Sequence, residues 1–313
     1  MRCLILGGGG FLGSHLADGL LSRGNQVRLF ERPAFSRNNV SHLLGQLEVI
    51  EGSLEDSADI ERAMAGVDAI FHLACTTVPA TSNEDPRADL LSNVLPTIRI
   101  LDGVRRHPEC RIVFFSSGGT VYGIPERIPI SESHPTNPIS AYGIHKLAIE
   151  KYLFLYHHLY RVDARVLRIS NAFGERQSPV SGQGAIAAFL HKALRRQVIE
   201  IWGDGSVVRD YIHVADVVRA ASMLMDYDGE MHVFNIGSGV GRSISDVVAA
   251  IEQAVGHNIE ALYSSSRALD VPANVLDISR AKTELDWTPG VVFEEGLRRT
   301  LEHMHEADEP EQH

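Results

Sequence analysis

The chain has 313 residues, 44% apolar and 22% charged, the balance of a soluble globular protein large enough for one core or two lobes. A net charge of −11 argues against nucleic acid as the main partner. No apolar run reaches the roughly 20 residues that span a bilayer, so no membrane association is expected.

The chain opens on a strand-like run, Arg2–Leu6, without a signal-peptide layout. Cys3, Cys75 and Cys110 cannot all pair, and neither they nor the fifteen histidines show metal-ligand spacing. The expected compartment is therefore the cytosol, and no metal is expected. Gly7, Gly10 and Gly13 follow the first run and lead into a helical pattern at Leu16, Leu20 and Leu21. Glycines between a strand and a helix let a pyrophosphate approach the backbone, and the helix start offers free amides to the anion. Val27–Glu31 is the second strand. It ends in an acid about twenty residues after the glycines, where a carboxylate accepts from both ribose hydroxyls and repels a 2′-phosphate. Arg32 pulls the other way, since a guanidinium accommodates that phosphate. The placement of Glu31 favours NAD over NADP.

Strands are expected at Leu47–Glu51, Ala69–Leu73, Arg111–Ser116 and Ala164–Ile169. Helices are expected at 56–65, 86–106 and 142–160. The alternation implies an α/β fold, a Rossmann-like doubly wound parallel sheet covered on both faces. The second half is less regular, with helices near 184–196, 214–225 and 244–255 and short strands near Val198 and Val233. It reads as a smaller C-terminal α/β substrate lobe. The division is residues 1–170 for a dinucleotide and 171–313 for the substrate, the two being interleaved. Glu302, Glu306, Asp308, Glu309 and Glu311, with no Lys or Arg among them, mark a frayed and solvated acidic tail from about 303.

Tyr142 and Lys146 lie one turn apart on the expected 142–160 helix and share a face. A neighbouring ammonium favours phenolate, so the pair can take a proton from a substrate hydroxyl. The plain alternative is a surface Tyr and Lys that happen to be neighbours.

The motifs Gly7-Gly-Gly-Gly-Phe-Leu-Gly-Ser-His15, His72-Leu-Ala-Cys75, Ser116-Ser-Gly-Gly-Thr-Val-Tyr-Gly123, Tyr142-x-x-x-Lys146, Arg168-Ile-Ser-Asn-Ala-Phe-Gly174 and Arg209-Asp-Tyr-Ile-His-Val-Ala-Asp216 together resemble one family. It is the extended short-chain dehydrogenases/reductases, in particular the NAD-dependent nucleotide-sugar epimerases and dehydratases, and the likeness runs from Leu4 to about Thr300. The resemblance implies that Tyr142 is the acid/base and that Lys146 binds the nicotinamide ribose and depresses the tyrosine pKa. It places Gly7, Gly10, Phe11, Leu12, Gly13, Glu31, Arg32, Ser53, Leu54, Leu73, Ala74, Cys75, Asn93, Ser116 and Ser170 around NAD. Where the family carries a Ser or Thr for the sugar O4, this chain has Gly118, so the contact passes to Thr120 or, second, Ser117.

Related dehydratases and decarboxylases carry acids at the positions of Gly119 and Thr120. Their absence leaves reversible redox at one carbon. By the same resemblance Asn171, Arg209 and Arg267 contact the diphosphate, while Ala185, Glu200 and Trp202 line the base pocket. Simple core packing is the alternative for Trp202. Asn274 stands at a gate beside the hexose, small enough for a decorated sugar. The expected activity is 4-epimerisation of a nucleotide-diphosphate hexose, UDP-sugar favoured, through a transient 4-keto sugar. A 4-ketoreductase is the alternative, and a catalytically silent relative is disfavoured by the intact motifs. A homodimer through the helices at 86–106 and 140–160 completes the expectation.

Overall fold

The computed structural model describes residues 1–180, 184–266 and 271–308. The opening run is β1 (Arg2–Leu6), buried on both faces after its first residue. The glycine turn leads to α1 (Phe11–Ser22) and back through β2 (Gln26–Glu31). β3 (Leu47–Glu51), α2 (Ser57–Met64) and β4 (Ala69–His72) continue the alternation. α2 starts where Asp56 accepts the Ala58 amide at 2.8 Å, satisfying an otherwise orphaned donor.

The long helix expected over 86–106 is interrupted. After a short turn α3 (Pro79–Ser82), α4 (Pro86–Asp89) gives way to a π-helical turn at Leu90–Val94 before α5 (Leu95–Val104). Pro96 has no amide for the preceding turn and its ring crowds that turn, so the ladder widens there. β5 (Arg111–Ser117), α6 (Ala141–Tyr160) and β6 (Ala164–Ile169) follow. Ser140 caps α6 by accepting the Gly143 amide at 3.2 Å.

The remaining elements are β7 (Asn171–Phe173), α7 (Ala185–Leu194), β8 (Ile199–Trp202), β9 (Val208–His213), α8 (Val214–Met223), β10 (Val233–Ile236), β11 (Gly241–Ser243), α9 (Ile244–Val255), β12 (Ala261–Ser264), β13 (Ala273–Asn274), α10 (Ser279–Leu285) and α11 (Phe293–Asp308). The main sheet is parallel throughout, in the order β10-β6-β5-β4-β1-β2-β3. Strand order reverses between β1 and β4, which opens a crevice at their carboxyl ends. One buried layer joins α1, α8 and α10 to the sheet, and the other joins α2, α5 and α6. Both α8 and β10 thus return to the first lobe from beyond residue 171. A Cβ on Gly19 would meet the Val218 side chain at 2.5 Å, so α1 and α8 touch where only hydrogen separates them. The second lobe is built on β7, β9, β11 and β13, with β8 and β12 paired apart from them. No described helix is long and apolar enough to cross a membrane.

Candidate active site

The glycine turn forms a cradle. Gly7 has φ +87°, and a Cβ there would stand 2.9 Å from the Ala74 amide nitrogen. On Gly13 a Cβ would collide with the Gly7 carbonyl, so α1 lies directly on the turn. Gly10 differs: a Cβ there would meet only the Gly7 carbonyl, at 3.5 Å. α1 begins at that point with no side-chain cap, leaving amides and the positive dipole end for an anion. Phe11 and Leu12 pack against the core behind it.

Glu31 ends β2, and its Oε1 accepts the Gly9 amide at 2.6 Å. Burial pushes its carboxyl above the ordinary range, while the Gly9 amide and the Arg32 charge pull it down. Arg32 itself is exposed. Ser53 and Leu54 leave β3, with the Ser53 amide held by Asp59 at 2.8 Å. Leu73, Ala74 and Cys75 leave β4, and the Leu73 amide reaches the Leu6 carbonyl at 3.0 Å. These strand ends converge on the crevice. The open space at Gly10 and the acid beside it fit the pyrophosphate and ribose of a dinucleotide.

Tyr142 and Lys146 share the inner face of α6. The Lys146 ammonium lies 5.6 Å from the centre of the Tyr142 ring and donates to the Phe115 carbonyl at 2.9 Å. The expected depression of Tyr142 is reversed. Burial pushes the phenol up, and the charges of Cys75 and Asp89 add to that shift. Desolvation is the larger effect, and the Lys146 ammonium, with one N–H on the Phe115 carbonyl, keeps two others.

The two candidate hydroxyls are those of Ser117, the last residue of β5, and Thr120, on the segment after it. The amides of Thr120 and Val121 both reach the Ser117 carbonyl, at 3.2 and 3.1 Å, which curls the chain into a turn. The Thr120 hydroxyl oxygen is buried with no partner among the described residues, as a group awaiting a ligand would be. A Cβ on Gly118 would stand 2.6 Å from Leu276, so the family's hydroxyl has no room at that position. Asn274 is fully buried, and its Nδ2 donates to the Gly118 carbonyl at 3.1 Å, so it braces this turn.

Three expected cofactor contacts point elsewhere with their side chains. Ser116 donates inward to Glu150 at 2.5 Å, because alternation along β5 turns it toward α6. Ser170 donates to Asp210 at 3.3 Å. Asn93, in the π turn, accepts the Thr76 amide at 2.9 Å and donates to Asp89 at 2.5 Å. Their donors are thus engaged within the protein.

Sequence reasoning missed the buried polar groups beneath α6. Glu150 and Arg168 pair at 2.6 Å, each about 5% exposed, and Arg168 also donates to the Tyr122 hydroxyl at 3.0 Å. That hydroxyl in turn donates to Asn235 at 2.6 Å. Glu150 sits one turn past Lys146, so the run 142, 146, 150 along one helical face was the available signal. Asp89 lies one turn before Asn93 in the same way.

On the second lobe, the Asn171 amide donates to the Asp210 carbonyl at 3.0 Å, and Arg209 donates to the carbonyls of Val208 and Val271 at 2.9 and 2.5 Å. Ala185 begins α7. Glu200 accepts from Ser264 at 2.8 Å, and Trp202 is 42% exposed, which rules out simple core packing. Arg267 lies outside the described residues.

Comparison with known proteins adds to this geometry. The model of the NAD dependent epimerase/dehydratase family matches residues 3–237. A UDP-glucose 4-epimerase of Mycolicibacterium smegmatis is 36% identical over 307 residues, covering 96% of this chain and 98% of its own. The Thermotoga maritima UDP-glucose 4-epimerase, solved with UDP-glucose, superposes with a TM-score of 0.94 at 34% identity, covering 99% and 100% of the two chains. The Thermus thermophilus UDP-glucose 4-epimerase, solved with NAD, gives 0.91 at 32% identity, covering 98% and 100%.

Proposed function

The chain belongs to the NAD-dependent epimerase/dehydratase family, and from that premise we propose that it is a UDP-sugar 4-epimerase with Tyr142 as its acid/base. The observation that carries this reading is the Thr120 hydroxyl, buried without a partner among the described residues, on the turn after β5 that abuts α6 at Gly143, next to Tyr142. The cofactor is NAD, which supplies the hydride acceptor and donor when bound. Gly7, Gly10 and Gly13 would cradle its pyrophosphate, Glu31 would take the ribose hydroxyls, and the Lys146 ammonium would hold the nicotinamide ribose.

Tyr142 removes the O4 proton of the hexose and later returns it, while Thr120 orients O4. The resulting 4-keto sugar turns over in the site before C4 is reduced on its other face. Asn171, Arg209 and Arg267 hold the diphosphate, with Arg the suited clamp for it. Exposed Trp202 offers a face to the base beside Ala185 and Glu200. The hexose must be held loosely enough to turn, while Asn274, buried on the Gly118 carbonyl, braces the turn that carries Thr120.

A homodimer and a cytoplasmic location belong to the same reading. The outer face of α6 exposes Ile144, Phe154, Leu155, Leu159 and Tyr160, and Leu90 and Leu91 of the π turn are exposed as well. An apolar face of that extent on one helix calls for a covering partner.

Mixing the purified protein with UDP-glucose and following UDP-galactose by NMR tests the activity. Conversion without added cofactor, NAD released on denaturation, and loss of turnover by 10²–10⁴-fold in Tyr142→Phe are the expected results. Net consumption of a reduced cofactor with a 4-keto sugar would instead make the chain a ketoreductase. Near-normal turnover in Tyr142→Phe would remove that residue from the mechanism.

A further inference from the structure

One buried carboxylate beside α6 has no part in the chemistry above. Asp89, the last residue of α4, is 1% exposed. It accepts from the Ser82 hydroxyl, from the Thr77 hydroxyl at 2.9 Å and from the Asn93 amide at 2.5 Å. Its Oδ2 lies 3.0 Å from Nδ1 of His145, a buried residue between Tyr142 and Lys146 in sequence. A single side chain therefore ties together the segment leaving β4, the turn α3, the π turn and α6. The same segment is fastened once more, where Asn83 Oδ1 accepts the Ala141 amide at the start of α6, at 2.8 Å.

We propose that Asp89, acting through His145 and Thr77, is a positioning residue that sets both the orientation of Tyr142 and the charge it experiences. The proposal rests on Tyr142 being the acid/base. The geometric part follows from the four attachments. Residues 76–83 arrive from the carboxyl end of β4, where the crevice opens, so Asp89 fixes the setting of α6 against the rim of the site.

The electrostatic part follows from the partners. Burial raises the Asp89 carboxyl, but the hydrogen bonds from Ser82, His145, Thr77 and Asn93 outweigh it and hold the group below the ordinary carboxylate range. It therefore stays ionised at neutral pH. A like charge disfavours phenolate, and Asp89 is among the charges that push Tyr142 up. The other titratable groups around the pair are His145 and Lys146 on α6, Cys75 after β4, and His72 on β4, itself beside Lys146. Neither Asp89 nor His145 needs to touch substrate for these effects.

Asp89→Asn keeps the shape and removes the charge. The acid limb of its kcat/KM profile should move to lower pH by roughly half to one unit. At the optimum, kcat should fall roughly tenfold with KM nearly unchanged, and NAD recovered on denaturation should match the wild type. An unmoved limb, or a loss confined to thermal stability and NAD content, overturns the proposal. Should Asp89→Asn fail to fold, His145→Gln, which retains a donor toward Asp89, decides the matter. Lowered kcat at full NAD content supports positioning, and wild-type kcat refutes it. Failure of the underlying reading looks different, because Tyr142→Phe would then keep its turnover whatever the Asp89 variants do.

Discussion

Helix α6 is anchored by two buried carboxylates, and they are satisfied in different ways. Beneath the helix Glu150 faces a guanidinium, with Arg168 contributing contacts at 2.6 and 3.1 Å and Ser116 another at 2.5 Å. At the rim Asp89 has two hydroxyls, an amide and an imidazole. The floor is thus a buried ion pair, and breaking it strands a charge. The rim is a set of separate donors around one anion, each of which can be lost singly. The difference lies in how each anchor can be broken: losing Arg168 takes the charge partner from Glu150, whereas losing one donor still leaves Asp89 three others.

The largest effect should come from breaking the floor. Arg168→Met leaves Glu150 buried and unpaired, a loss of about 3–5 kcal/mol in denaturant unfolding. Adding Glu150→Leu should restore most of that stability, and if it does not, the pair matters for more than its charge balance. Next come the two hydroxyls above the floor. Thr120→Ala should lower kcat by roughly 10²-fold, while Ser117→Ala lowers it less. The reverse order in steady-state kinetics would move the O4 contact to Ser117.

A smaller effect is expected at the far end of the crevice. Glu31→Ala should weaken NAD roughly tenfold or more and narrow its advantage over NADP, read by equilibrium titration of cofactor-free protein. Equal wild-type affinities would withdraw the role given to Glu31. The smallest effect lies away from both anchors. Burial, and next to it the Arg176 charge, lower His15 from 6.5 to about 4. The fold prefers the neutral ring, so its contribution is complete above pH 6.5 and is lost as pH falls toward 4. His15→Gln should flatten thermal stability across that window without moving the Tyr142 profile, separating acid lability of the fold from titration of the site.

The parallel sheet, the glycine cradle, Glu31 and the Tyr142–Lys146 pair were all legible in the amino-acid order. Each depends on a local rule: apolar runs between helices, glycine where backbone must be approached, and one-turn spacing on a helix. The interruption of the 86–106 helix had a signal in Pro96, but the expectation of one continuous helix passed over it. Which oxygen is left free was decided by contacts between distant segments. Gly118 is crowded by Leu276, Asn274 occupies the Gly118 carbonyl, and the Thr120 hydroxyl has no partner among the described residues. Ser116 and Asn93 are polar residues in family motifs, yet their side chains are claimed by Glu150 and Asp89.

The sign of the Tyr142 shift belongs with these. A lysine one turn away predicts a depressed phenol, but the balance depends on how deeply the ring is desolvated and on which acceptor holds the ammonium. The sequence by itself determined which groups are present and which local elements carry them, because backbone sterics and hydrophobic periodicity act over a few residues. Only the tertiary structure decided which groups satisfy one another and which remain for a substrate, because burial and hydrogen-bond competition join residues far apart in the chain.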